Sequence, residues 1–265
     1  MTFKSVDSYR DFARAVRQDY RFARTPNQEA FLKAVATTSP SRSLTMKTDF
    51  VLWRAQLGHC WRKVEQEGVS EEEPTAYPPE RMKPTPEKAG DGRVNPRGIP
   101  CLYLATQKET AALEVRPLFH SYVSIAQFKI VKDLKIINCS APEIGNLAFL
   151  DKDLSQDGIE KVVWSAMNRA FSEPVTRGDD SLDYVPTQII AETFKLNGFD
   201  GIAYKSNYGE DGFNVALFDL AVADLINHCL YRIDKMSVKL SEQENPYFIK
   251  RHYEKRDAPS PPNAD

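Results

Sequence analysis

Strand-like apolar runs crowd the chain from Cys101 onward, and several follow one another as hairpin neighbours. Cys101–Ala105 (CLYLA), Val123–Val131, Leu134–Cys139, GFDGIAYKS over 198–206, FNVALFD over 213–219 and His228–Leu240 are rich in aliphatic and aromatic residues, and polar segments separate them. Neighbours of this kind pair in antiparallel or mixed sheets, whereas a doubly wound sheet alternates each strand with a helix. The expected class is therefore α+β. A chain of 265 residues with 42% hydrophobic content is enough for one large domain, or one domain with a small appendage.

The helices gather elsewhere. Tyr9, Phe12, Ala13 and Val16 recur at helical spacing, as do Ala30, Phe31, Ala34 and Val35 in a run that opens at Pro26. These define a helical N-terminal extension over residues 1–48. Asp49–Leu57 reads as a strand that opens the main domain, expected over 49–240. Within that domain residues 62–91 are rich in Pro, Glu, Lys and Gly and poor in aliphatics, so a long loop or flexible insertion is expected. After CLYLA, Thr106 is the expected cap of a helix QKETAALEV. Further helices are expected over Gly158–Phe171, and from Asp183 as cap, with Pro186 at its start, to Gly198 at its end. The tail 241–265 is charged, ends in APSPPNAD and is expected to be disordered.

Charge and motifs narrow the function. The net charge is −2, and the five arginines between Arg10 and Arg24 are interleaved with acidic residues, so nucleic acid is not the expected partner. No apolar run approaches the ~18 residues of a membrane span. The N-terminus MTFKSVDSYRDF lacks the apolar stretch of a signal peptide. Cys60, Cys101, Cys139 and Cys229 form no C-x-x-C pair, which argues against a disulfide framework and a structural zinc, and points to the cytoplasm. The four histidines have no metal or triad spacing, so no metal is expected. Walker, G-x-S-x-G, H-E-x-x-H and G-x-G-x-x-G patterns are all missing.

A handful of polar residues stand out against this background. The loop GRVNPRG at 92–98 presents Arg93 and Arg97 just before a strand, and guanidinium forks suit phosphate oxygens. A surface turn with solvated arginines is the alternative. Strand alternation separates Tyr103 from Leu102 and Leu104, so its ring either stacks on a flat heterocycle or is a half-buried strand tyrosine. Glu114 sits in the apolar stretch TAALEV, where a carboxylate is costly to bury unless it is paired or functional; a helix-end glutamate facing solvent is the plainer reading. Arg54 poses the same question within LWRAQ. Ser206 ends GFDGIAYKS and Asn214 lies at the start of NVALF; alone, each is an ordinary turn residue.

Taken in order, WRA at 53–55, GRVNPRGIPCLYLA at 92–105, TAALEV at 110–115, DYVPTQIIAE at 183–192, GFDGIAYKS at 198–206 and NVALFD at 214–219 resemble the RES domain family over roughly Phe50 to Leu240. The resemblance implies an ADP-ribosyltransferase-like fold, with mixed or antiparallel sheets surrounded by helices. It implies NAD+ as substrate and a role as a bacterial toxin whose partner is an Xre-type antitoxin. The N-terminal extension and the 62–91 insertion make the chain longer than compact toxins of the family, which leaves the antitoxin partner open. The family's arginines correspond to Arg54 and Arg93, its tyrosine to Tyr103, its glutamate to Glu114 and its serine to Ser206.

On that resemblance, Glu114, Arg54 and Ser206 are the expected catalytic residues, and Arg54, Arg93, Tyr103, Ser206 and Asn214 the expected NAD+ contacts. Arg54 and Arg93 would hold the pyrophosphate, Tyr103 would stack near the nicotinamide, and Glu114 would stabilise the positive charge that grows on the ribose. Glycohydrolase or phosphorylase chemistry is expected. ADP-ribosyl transfer to a protein and a non-catalytic NAD-binding module are the alternatives.

Overall fold

In the computed structural model, residues 2–66, 69–140, 154–173, 181–208, 212–237 and 240–241 are described. Eight strands form one mixed sheet. They are β1 (Ser43–Met46), β2 (Val51–Leu57), β5 (Leu102–Ala105), β6 (Tyr122–Ile130), β7 (Leu134–Asn138), β8 (Gly201–Lys205), β9 (Phe213–Leu217) and β10 (Ala223–Arg232), in the spatial order β1-β7-β8-β9-β5-β2-β6-β10. Every neighbouring pair is antiparallel except β7 with β8. A parallel pair needs a crossover, and the helices α4 (Gln156–Ser172) and α5 (Val185–Leu196) lie between those two strands in sequence. The α+β reading of the closely spaced apolar runs holds.

Residues Met1–Asp234 form one unit. The N-terminal helices α1 (Ser8–Gln18) and α2 (Pro26–Thr38) belong to its core. Phe12 and Phe31 stack with centroids 4.4 Å apart, and they share a buried cluster with Trp164 and Phe171 of α4 and with Ile190 and Phe194 of α5. Trp164 is fully buried, and its indole N–H donates to Thr38 Oγ1 at 3.1 Å, so the largest core side chain is satisfied by α2. A capping box fixes where α2 begins: Thr25 accepts from Gln28 N, Gln28 Oε1 accepts from Thr25 N, and Pro26 occupies the first turn. A second cluster includes Leu52, Leu102, Phe128, Leu134 and Leu217, and a third includes Ala55, Ala105, Ala111 and Ile125.

Several local expectations change. The expected 62–91 loop contains strands: β3 (Cys60–Gln66) and β4 (Val69–Thr75) form a separate antiparallel pair. Their strand character rests on cross-strand pairing of opposite charges, with Lys63 opposite Glu72 and Arg62 opposite Glu73, and composition alone conceals this. Residues Ser43–Met46, ahead of the expected domain start, are the edge strand β1 of the main sheet. The last strand begins at Ala223 and ends at Arg232, earlier than His228–Leu240. Thr106 does not cap the helix α3 (Lys108–Glu114); its hydroxyl accepts from Phe213 N, and Gln107 holds the cap position. Asp183 lies in a 3-10 turn and pairs with Arg17 at 3.3 Å, while Tyr184 precedes α5. The tail from 242 onward lies outside the described residues. Among the described residues, no helix is long and apolar enough to cross a membrane.

Candidate active site

Strand β5 is paired along its whole length with β9, from Leu102↔Leu217 to Ala105↔Asn214, but it meets β2 at the single position Trp53↔Ala105. The sheet opens at that seam. The Arg54 side chain fills the gap: its Nη1 donates to the Tyr103 carbonyl at 2.9 Å, taking the place of a ladder partner on β2. Burial disfavours the charged guanidinium and pulls its pKa down to about 10, only partly offset by Tyr103. Arg54 Nε is buried and has no partner among the described residues.

A cavity of about 310 Å³ lies over this seam. Its floor includes one cross-strand row, Tyr204 on β8, Asn214 on β9, Ala105 on β5 and Trp53 on β2, each in register with the next and so on one face of the sheet. Arg54, Arg93, Tyr103 and Glu114 also line it.

Glu114 is the last residue of α3, and the helix packs against β2 and β5. That placement brings the carboxylate to Asn214 and Ser206. Ser206 Oγ donates to Glu114 Oε1 at 2.7 Å, and Asn214 Nδ2 donates to the same oxygen at 2.5 Å. Among the described residues, Oε2 makes no hydrogen bond. The carboxylate is thus held through one oxygen, with the other available to a ligand. Ser206 is 2% exposed, accepts from Tyr208 N at 3.0 Å and is not part of the cavity wall.

The loop carrying Arg93 is fixed from three sides. The Tyr103 hydroxyl donates to Asn95 Oδ1 at 2.7 Å and accepts from Val94 N at 3.0 Å. Asn95 donates to the carbonyls of Gly90 and Pro96. Gln188, on α5, donates to the carbonyls of Gly92 at 2.9 Å and Asn95 at 3.0 Å. Gly92 is packed so closely on this network that an added Cβ would lie 2.4 Å from the Tyr103 hydroxyl. Arg93 itself bonds the Phe171 carbonyl and faces the cavity. Burial holds the Tyr103 phenol well above its ordinary range, so it serves here as a neutral hydrogen-bonding group.

Five of the residues singled out in the sequence, Arg54, Arg93, Tyr103, Glu114 and Asn214, therefore wall one cavity, and Ser206 stands behind Glu114. Arg97 does not join them. Its side chain is exposed and outside the cavity wall, and its backbone N–H donates to Asp91. Asn95, Gln188 and Tyr204 also belong to the site, although they are not among the residues singled out in the sequence. A signal existed for Gln188, a lone amide inside the otherwise apolar VPTQIIA of a buried helix. Among the described residues, no group of three or more His, Cys, Asp or Glu side chains is placed to hold a metal.

No curated protein matches the chain. Among solved structures, the crystal structure of the M. tuberculosis MbcT–MbcA toxin–antitoxin complex is similar at 14% identity, covering 73% of this chain and 90% of that one, with a TM-score of 0.38. The sequence profile of the RES domain matches residues 51–238, a span that contains every residue of the cavity wall. The chain belongs to the RES domain family.

Proposed function

We propose that the cavity over the β2–β5 seam binds NAD+ and cleaves its nicotinamide–ribose bond, and that the protein acts as a bacterial toxin held in check by an antitoxin of the Xre type. The observation that carries the reading is the Glu114 carboxylate, oriented by Ser206 and Asn214 at the wall of a cavity that also presents two arginines. A fixed anion beside a site where cationic charge develops stabilises the transition state without having to reorganise.

In the reaction, the C1′–N bond breaks and its electron pair leaves with the nicotinamide nitrogen, so the leaving group departs neutral and requires no strong acid. The ribosyl carbon becomes electron-poor. Glu114 Oε2 meets the ribose and offsets that charge. The oxygen of water, or of phosphate, then adds at C1′ and loses its proton to solvent. Arg54 and Arg93 hold the pyrophosphate with charge-assisted bonds, and this orients the scissile bond. The Tyr103 ring supports the bound dinucleotide, while its hydroxyl holds the Arg93 loop. Ser206 acts by positioning Glu114.

Mass spectrometry of the products after incubation with NAD+, with and without phosphate, tests this. Free nicotinamide with ADP-ribose, or with ADP-ribose-1″-phosphate when phosphate is present, is the expected outcome. ADP-ribose attached to a protein would instead identify a transferase, and intact NAD+ would contradict the proposal.

A further inference from the structure

The phenol of Tyr204 is a polar group of the cavity floor that makes no hydrogen bond among the described residues. Tyr204 is 4% exposed, lines the cavity, and stands in the same cross-strand row as Asn214. Its ring is fixed against Phe171, with centroids 6.2 Å apart. Tyr103 on the neighbouring wall spends its hydroxyl on Asn95 and Val94, whereas the Tyr204 hydroxyl makes no hydrogen bond among the described residues. A hydroxyl without a protein partner that reaches open cavity space can bond a ligand there. Here the space it faces is the candidate substrate cavity.

The position along the cavity says which part of a ligand it meets. The charges acting on the phenol are those of Arg93 and Glu114, together with the nearby Tyr184 and Cys139 groups. Tyr204 lines the same cavity as the arginine proposed for the pyrophosphate and the carboxylate proposed for the ribose, and it stands in register with Asn214, which bonds that carboxylate. Burial raises its pKa well beyond the ordinary phenol range. It remains protonated at neutral pH and can donate, but it cannot serve as a base.

We infer that Tyr204 is a substrate-binding residue whose hydroxyl donates a hydrogen bond to the ribose on the nicotinamide side of a bound dinucleotide. This rests on the NAD+ reading above and adds a contact to it. The chemistry recognised is a ribose oxygen flanked by a diphosphate, so ligands that keep that ribose feel the contact and those that lack it do not.

The test uses the full chain carrying Glu114→Gln, to prevent turnover, with and without Tyr204→Phe. Each protein is titrated calorimetrically with NAD+, ADP-ribose and AMP. NAD+ is titrated into the Tyr204-containing protein first; no binding there overturns both the inference and the NAD+ reading. With binding established, Tyr204→Phe is expected to weaken NAD+ and ADP-ribose about tenfold, the equivalent of roughly 1.4 kcal/mol for one buried hydrogen bond, and to leave AMP unchanged. Unchanged NAD+ affinity, or an equal loss for AMP, overturns the Tyr204 inference alone. Phenylalanine removes a hydroxyl that has no protein partner, so the melting temperature is expected to hold. If it falls, Tyr204→Leu is read by the same titrations and the same criteria.

Discussion

Ser206 donates to Glu114 Oε1 across 2.7 Å, yet Ser206 itself is 2% exposed and lies outside the cavity wall. The pair therefore divides labour: the carboxylate faces the cavity and the serine sets its orientation. Replacing Ser206 by Ala leaves Asn214 as the remaining donor to the same oxygen. The expected result is a fall in kcat of about tenfold with little change in KM, as for loss of about 1.4 kcal/mol of transition-state stabilisation. Because both donors act through one oxygen, Ser206→Ala with Asn214→Ala should lose less than the product of the single effects. Steady-state kinetics with NAD+ read this directly. A rise in KM alone would instead make Ser206 a ligand contact.

Arg54 illustrates a site residue that the fold tolerates at some expense. Burial lowers its pKa to about 10 and its Nε is unpartnered. The folded chain binds this proton less tightly than the unfolded chain, so the Arg54 contribution to stability grows only as pH rises through about 10 and is flat near neutrality. Arg54→Met removes the buried charge but leaves the Tyr103 carbonyl without its donor. These effects oppose each other, and thermal unfolding at neutral pH is expected to shift by no more than about 1 kcal/mol equivalent. NAD+ affinity, by contrast, is expected to fall more than about tenfold. A large loss of stability with intact binding would reverse the assignment.

Gln188 is expected to act at a distance from the ligand. Gln188→Leu keeps the side-chain bulk but strips donors from the carbonyls of Gly92 and Asn95. The Asn95 carbonyl still accepts from Gly92 N, but leaving the Gly92 carbonyl unpaired costs about 1–3 kcal/mol, which differential scanning calorimetry detects as a lower melting temperature. The loosened loop carries Arg93, so KM for NAD+ should rise more than kcat falls.

Such contacts also mark the limit of what the sequence discloses. Glu114 was legible because a carboxylate within TAALEV conflicts with its neighbours, and Arg54 for the same reason. The α+β class was legible because closely spaced apolar runs pair as neighbouring strands. Gln188 meets the Gly92 carbonyl 96 residues away in sequence, and no local pattern encodes that meeting. Nothing local in GFDGIAYKS sets Tyr204 apart; only the strand register places it beside Asn214 on the cavity floor. The β3–β4 pair was hidden because its strands are polar and join through charges. Arg97 was singled out by its loop, but the fold turns it to solvent.

The N-terminal helices were expected as an extension, and their packing makes them part of the core. Phe12, Val16, Phe31 and Val35 share one buried cluster with Trp164 and Phe194. Deleting residues 1–38 uncovers Trp164 and removes the Thr38 acceptor of its indole. At about 3–5 kcal/mol for loss of packing around one large aromatic, the deletion should abolish cooperative unfolding and yield aggregates. Circular dichroism melts and size-exclusion chromatography check this. A folded, NAD+-active truncation would show the helices to be dispensable.

On the proposed mechanism, Glu114, held by Ser206 and Asn214, drives loss of nicotinamide from NAD+ without being needed for NAD+ binding. Nicotinamide release and NAD+ affinity measured side by side for the parent chain and Glu114→Gln test it most directly. Similar affinity and a loss of turnover on the order of 10² or more are expected in the variant. Turnover equal to the parent in a Glu114→Gln protein that binds NAD+ would contradict this mechanism.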